Sequence, residues 1–177
     1  MKIILRIFGV LVVLLLLAVV AAFFLPRNFR VERSIVINAR PEMVFAHVED
    51  LKAWKGWSAW HERDPAMKLS YSAPSVGIGA WSAWESRTEG NGKMTITAHE
   101  PRQRVAYTLE FPDMNMISSG LMELHPAEKG VRVVWSSSGD LGFNPMHRWF
   151  GVFMEKLIGP DFEKGLAKLQ SVAEAAK

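Results

Sequence analysis

KMTITAHEPRQRVAYTLEF, residues 93–111, reads as two extended runs around one turn. In the first, Met94, Ile96 and Ala98 alternate with Thr95, Thr97 and His99. In the second, Val105, Tyr107, Leu109 and Phe111 share one side, and Glu110 takes the other. Alternation with period two marks a strand with one buried and one wet face. Glu100-Pro101-Arg102 turns the chain between the runs. An antiparallel pair is expected here, and its neighbours extend the pattern. Upstream, Met67 to Ala73 and Ala80 to Arg87 read as strands around Gly77-Ile78-Gly79, and Gly90-Asn91-Gly92 is a hairpin signal. Downstream, Ile117 to His125 and Gly130 to Ser138 are joined by Pro126 to Lys129.

Helical signals flank this run of strands. Val31 to Ile37 reads as a strand, and Pro41 then suits the first position of a helix. Val44, Phe45, Val48 and Leu51 fall on one face of that helix. Asp50 to Gly56 is a second short helix or turn, inside a tryptophan-dense segment that holds Trp54, Trp57 and Trp60. At the other end, Arg148 to Ala176 switches to the helical period. Trp149, Phe153 and Leu157 share a face there, with Gly159-Pro160 as a break or kink. The order is strand, short helices, about six antiparallel strands and a long helix. That is an α+β architecture, with a curved antiparallel sheet covered by the C-terminal helix.

The N-terminus is different in kind. Ile7 to Leu25 carries no charge, and only Gly9 lies outside the hydrophobic set. As a helix it is about 28 Å long, close to the hydrocarbon thickness of a bilayer. A cleaved signal peptide would have a shorter apolar run, and Phe23-Phe24-Leu25 continues past the small residues at Ala21-Ala22. A core helix would show a polar face. The segment therefore reads as a single-pass anchor meeting the membrane through residues 7–25. The expected division is an anchor over 1–26, a juxtamembrane linker over 27–30 and a folded body over 31–177. Lys2 and Arg6 favour a cytoplasmic N-terminus, and Arg27, Arg30 and Arg33 oppose it. The very short N-terminal tail suits a signal anchor that places the body outside the cytoplasm.

Charge excludes one class of function. The net charge is +3 over 177 residues. Setting aside Lys2 and Arg6 leaves 19 basic side chains against 18 acidic ones, so the body is balanced. With no basic stripe, nucleic-acid binding is not expected. The absence of Cys excludes disulfides, thiolate catalysis and Cys-ligated metals. The five His show no metal-ligand spacing, so neither metal nor cofactor is expected.

Several stretches together resemble a known group. They are Val31 to Ala39 followed by Pro41-Glu42-Met43-Val44-Phe45, then Asp50-Leu51 with Trp54, Trp57, Ser58, Trp60 and Asp64-Pro65. Gly77-Ile78-Gly79 with Trp84 downstream, and Gly159 to Leu166, complete the set. Residues 31–175 are similar to the SRPBCC superfamily, also called START-like or helix-grip, in its polyketide cyclase/dehydrase branch. The resemblance implies a helix-grip fold with a deep cavity between sheet and C-terminal helix. It implies a hydrophobic ligand, such as a lipid or polyketide, and in some members cyclisation or dehydration.

On this reading the expected cavity wall comprises Trp57, Trp60, Trp84, Tyr107, Leu109 and Met122 from the front of the chain. Trp135, Trp149, Phe153 and Leu157 supply the rest. Trp suits such a wall because it is large and apolar with one orienting N–H. The catalytic candidates are His61, Asp64 and Glu85, titratable groups that could act in acid–base steps at a cavity mouth. The leading expectation is a membrane-anchored protein that binds a hydrophobic small molecule or lipid without catalysis. A cyclase or dehydratase is the alternative. A partner-binding domain with a vestigial cavity is a third reading, and it predicts a filled interior with an exposed apolar patch.

Overall fold

In a computed structural model, residues 2–175 are described. Helix α1 spans Lys2–Ala22, and strand β1 spans Asn28–Ile37. Helix α2 (Pro41–Glu49), a 3-10 turn (Ala53–Gly56) and helix α3 (Ala59–Arg63) follow. Then come β2 (Lys68–Tyr71), β3 (Trp81–Glu85), β4 (Gly92–Glu100) and β5 (Arg104–Phe111). After a second 3-10 turn at Pro112–Met114 come β6 (Met116–Pro126), β7 (Val131–Asp140) and α4 (Pro145–Ala175).

The strands form one antiparallel sheet in the order β1-β7-β6-β5-β4-β3-β2. The curved sheet and its long helix are the expected helix-grip architecture. Residues 28–30, expected in a linker, instead begin β1 and pair with residues 138–140. Arg27 is fixed as well, through a double hydrogen bond to the Asp140 carboxylate at 2.7 Å. The expected helix end at Ala176 lies outside the described residues. Helix α4 continues through Pro160 without a break.

Two local departures have physical causes. The Gly90-Asn91-Gly92 signal does not make a two-residue turn, because Trp84 pairs with Gly92 and β3 ends at Glu85, leaving a longer loop over residues 86–91. Ser86 organises that loop: its hydroxyl accepts from the Thr88 and Glu89 amides and donates to Asp64 at 2.6 Å. Along β4 the register shifts between Ile96 and Ala98. Such a bulge resets the alternation. His99 therefore faces inward opposite Val105, where its Nε2 lies 2.8 Å from Glu49.

The sheet has two unlike ends. Chain α1 enters β1 at what we term the anchor end, where β3, β5 and β7 also finish. Helix α4 starts at this end and runs along β1 to the distal end, where the Glu174 carboxylate accepts from the Asn38 amide. Toward the distal end, Val44, Val48, Val105, Val133 and Leu169 are fully buried and form the bulk of the core.

Candidate functional site

The middle of the inner face is packed with rings. Trp135 from β7 stacks on Phe162 from α4, with centroids 4.0 Å apart and planes 3° from parallel. Trp57 meets Trp135 edge-on at 5.3 Å, and Trp54 meets both Trp135 and Tyr107 edge-on. Close approach is possible because two glycines stand where side chains would collide. A Cβ on Gly120 would fall 2.1 Å from the Tyr107 ring, and one on Gly165 would fall 2.9 Å from Trp135. The polar atoms of these rings are used within the protein. Trp54 donates to the Val48 carbonyl, Trp57 to the His47 carbonyl and Trp135 to the Tyr107 hydroxyl at 2.7 Å. Burial raises the Tyr107 phenol well above its ordinary pKa. Trp57, Tyr107, Met122 and Trp135 are thus fully enclosed, and side chains fill the middle of the expected deep cavity.

Toward the anchor end the packing loosens. Trp60, Trp84, Leu109, Phe111, Met116 and Ile158 are only half-buried there. Strand register puts Leu109, Phe111 and Met116 on the same side as Tyr107. Trp84 joins them, edge-on to Phe111 at 5.9 Å. Trp60 closes one side, edge-on to Trp135 and Phe162. Helix α4 lies along β1, and α2 meets β6 nearer the distal end. Small residues face inward beside them on β6 and β7: Gly120 and Gly139 leave room for the Tyr107 and Phe29 rings, and Ser118 and Ser137 are buried. Half-covered apolar side chains with two buried serine hydroxyls beside them define a candidate recess at this end. A recess of this composition suits a hydrophobic molecule held by shape and oriented by one or two hydrogen bonds.

The remaining expected wall residues lie elsewhere. Met154 and Phe162 turn the buried face of α4 toward the sheet. Trp149, Phe153 and Leu157 project from another side of the helix, and each is exposed. The helix is apolar on both sides over this stretch, so periodicity alone could not say which side meets the sheet. Trp149 instead donates from Nε1 to the Ala18 carbonyl of α1 at 3.0 Å.

The titratable candidates do not converge. Glu85 is exposed at the end of β3, opposite Lys68. Asp64 is a turn organiser, accepting from the Ala66 amide and the Ser86 hydroxyl. His61 is half-buried on α3. Burial and then the nearby Lys55 charge lower its pKa, so the ring is held neutral. Its Nδ1 and the Ser58 hydroxyl are the buried side-chain polar atoms without a partner among the described residues. The arrangement therefore offers one neutral imidazole rather than an acid–base pair. Among the described residues, no three His, Asp or Glu side chains gather as they would around a metal ion.

Sequence reasoning passed over Phe111, Met116 and Ile158, although parity with Leu109 already placed Phe111 on this side. Two surface grooves of about 540 and 560 Å³ lie at the distal end. Both are open and lined largely by residues such as Arg40, Pro41 and Gln103, away from the aromatic recess.

Comparison with known proteins agrees with this fold. Among solved structures, a Mesorhizobium loti protein is similar with a TM-score of 0.60 at 19% identity, over 85% of this chain and 99% of that one. A Staphylococcus aureus protein of unknown function has a TM-score of 0.63 at 14% identity, over 84% of this chain and 95% of that one. The di-domain ARO/CYC protein StfQ from the steffimycin biosynthetic pathway has a TM-score of 0.63 at 13% identity, over 84% of this chain and 51% of that one. At these identities the likeness is one of fold. No curated protein matches. The model of the family described as polyketide cyclase/dehydrase and lipid transport matches residues 28–174, from the first residue of β1 to the last turn of α4, and the chain belongs to that family.

Proposed function

We propose that this protein binds a hydrophobic small molecule or lipid in the recess at the anchor end, and that α1 holds it in a membrane. The carrying observation is the half-covered apolar surface of Trp60, Trp84, Leu109, Phe111, Met116 and Ile158, beside a core that is otherwise closed. Apolar side chains in such a place gain free energy when a ligand replaces water over them. Helix α1 is long and apolar enough to cross a bilayer, and its apolar stretch is unburied. The proposed orientation puts the body outside the cytoplasm. A C-terminal phosphatase fusion active in intact cells supports this, and a fluorescent, phosphatase-inactive fusion overturns it.

Ligand binding is tested on the body from Arg27 onward by organic extraction and mass spectrometry, after its folding is checked by circular dichroism. A hydrophobic species should co-purify with the wild type and be depleted by Leu109→Trp, which fills the recess. Recovery of no such species from either protein counts against the reading.

One observation favours an enzymatic version. His61, with a lowered pKa and an Nδ1 that has no partner among the described residues, follows Trp60 on α3 and could accept a proton. Loss of turnover in His61→Gln with ligand binding retained would support catalysis. The filled aromatic centre favours a third reading, a partner-binding domain, and predicts that Leu109→Trp leaves all behaviour unchanged.

A further inference from the structure

The exposed apolar residues outside α1 are unevenly placed. At the distal end Ile78 stands alone on a loop and Val36 on an edge strand. At the anchor end, by contrast, Phe24, Met114, Ile117, Phe143 and Met146 project from four separate segments, with Phe143 70% and Met146 78% exposed. Helix α4 extends this surface: Met146, Phe150, Phe153 and Leu157 recur at spacings of three to four residues and form one stripe. The stripe ends where Pro160 begins the half of α4 that packs into the core. Its residues point away from the sheet, so the fold makes no use of them.

What covers this surface is indicated by what it adjoins. The last turns of α1 are bonded to the first turns of α4, because Arg148 donates to the Phe23 carbonyl and Trp149 to the Ala18 carbonyl. The Arg148 guanidinium also sits over the Phe23 and Phe143 rings, 5.7 and 5.6 Å from their centroids, and Arg27 sits over Phe143 at 5.0 Å. Aromatic rings and arginines at the end of an apolar span are the groups that settle at the headgroup level of a bilayer. A helix with one apolar face unclaimed by protein can lie in the same plane.

We propose that the anchor end rests on the bilayer surface. In this arrangement the first half of α4, from Met146 to Leu157, and the Phe143 loop are seated among the lipid headgroups, and the recess opens toward the lipid. The inference rests on α1 being a membrane span. It adds that the folded body has a membrane-facing side, which supplies the hydrophobic occupant from the lipid phase.

The chain has no native cysteine, so single labelled positions test the proposal directly. The full-length protein is reconstituted into vesicles of phosphatidylcholine with a minority of phosphatidylglycerol, some lipids carrying brominated acyl chains. Fluorescent labels are placed at Phe143→Cys, Phe150→Cys and Phe153→Cys, with Val12→Cys in the span and Lys129→Cys at the distal end. All five are exposed on the protein, so substitution spares the core. Labels at 143, 150 and 153 should be quenched by the bromolipids at least about threefold more than the label at 129. Quenching at 12 with 150 and 153 behaving like 129 overturns the docking and leaves the span standing. No quenching at 12 overturns both. Labels at 150 and 153 that leave water without lipid quenching, while self-quenching between copies, assign the stripe to a second copy of the chain and overturn the membrane contact.

Discussion

Tyr107 shows how much rests on one hydroxyl. It accepts the hydrogen bond that the Trp135 indole donates, in a place water does not reach. Tyr107→Phe keeps the ring and strands the donor. It should cost about 1–3 kcal/mol in urea or guanidinium unfolding, the range for an orphaned buried polar group. His61 supplies a pH signature. Its folded-state pKa is lowered, so the unfolded chain takes up the proton first as pH falls. Stability is therefore complete above the ordinary value of 6.5 and declines as the pH drops below it, until the folded form is protonated too. Unfolding midpoints measured across that range should slope more steeply for the wild type than for His61→Gln. Of these two residues, Tyr107 was legible on the inner face from strand parity. Burial of His61 was not, because the helix that holds it is five residues long and sets no readable period.

At the level of elements, α4 is the informative case. One of its faces lies in the core through Met154 and Phe162, and the other carries Phe153 unpartnered. Met154→Ala should therefore destabilise by about 2 kcal/mol or more, whereas Phe153→Ser should stay within about 0.5 kcal/mol. Thermal melts in detergent compare the pair, and equal losses would mean that the two faces have been misassigned. Sequence periodicity located this helix and even its proline, but it could not rank two apolar sides of one cylinder. Strand β4 was opaque for a different reason. Its bulge after Ile96 reverses the parity, so His99, on the polar side by simple alternation, faces Glu49 within the fold. The alternation over residues 93–111 was right about the sheet and wrong only at Ala98 and His99, at the end of β4. A bulge leaves no trace in composition.

For the whole molecule, the family match begins at residue 28, and the fold closes on itself without α1. A protein starting at Arg27 should keep its far-UV circular dichroism and melt within a few degrees of the full chain, because only Arg148, Trp149 and their near neighbours lose contacts. A collapse of the melt would make α1 an integral part of the core. The helix-grip architecture, the long apolar N-terminal helix and the balanced charge of the body were all legible in the sequence. The filled centre was not, since a strand pattern says which side chains face inward but not whether they leave room between them.

The junction between α1 and β1 sets the range over which the protein can act. Five residues, Phe23 to Arg27, join the two elements, and they are pinned by Arg148 at one end and Asp140 at the other. Even fully extended, such a connection spans no more than about 18 Å. A domain on a long disordered leash could swing out and meet donors some distance away. This one has neither swing nor reach. With α1 held in a bilayer, the body moves only as the anchor moves, by sliding and turning in the plane. On the proposed function, any ligand it exchanges would be met at that same membrane, in a two-dimensional search.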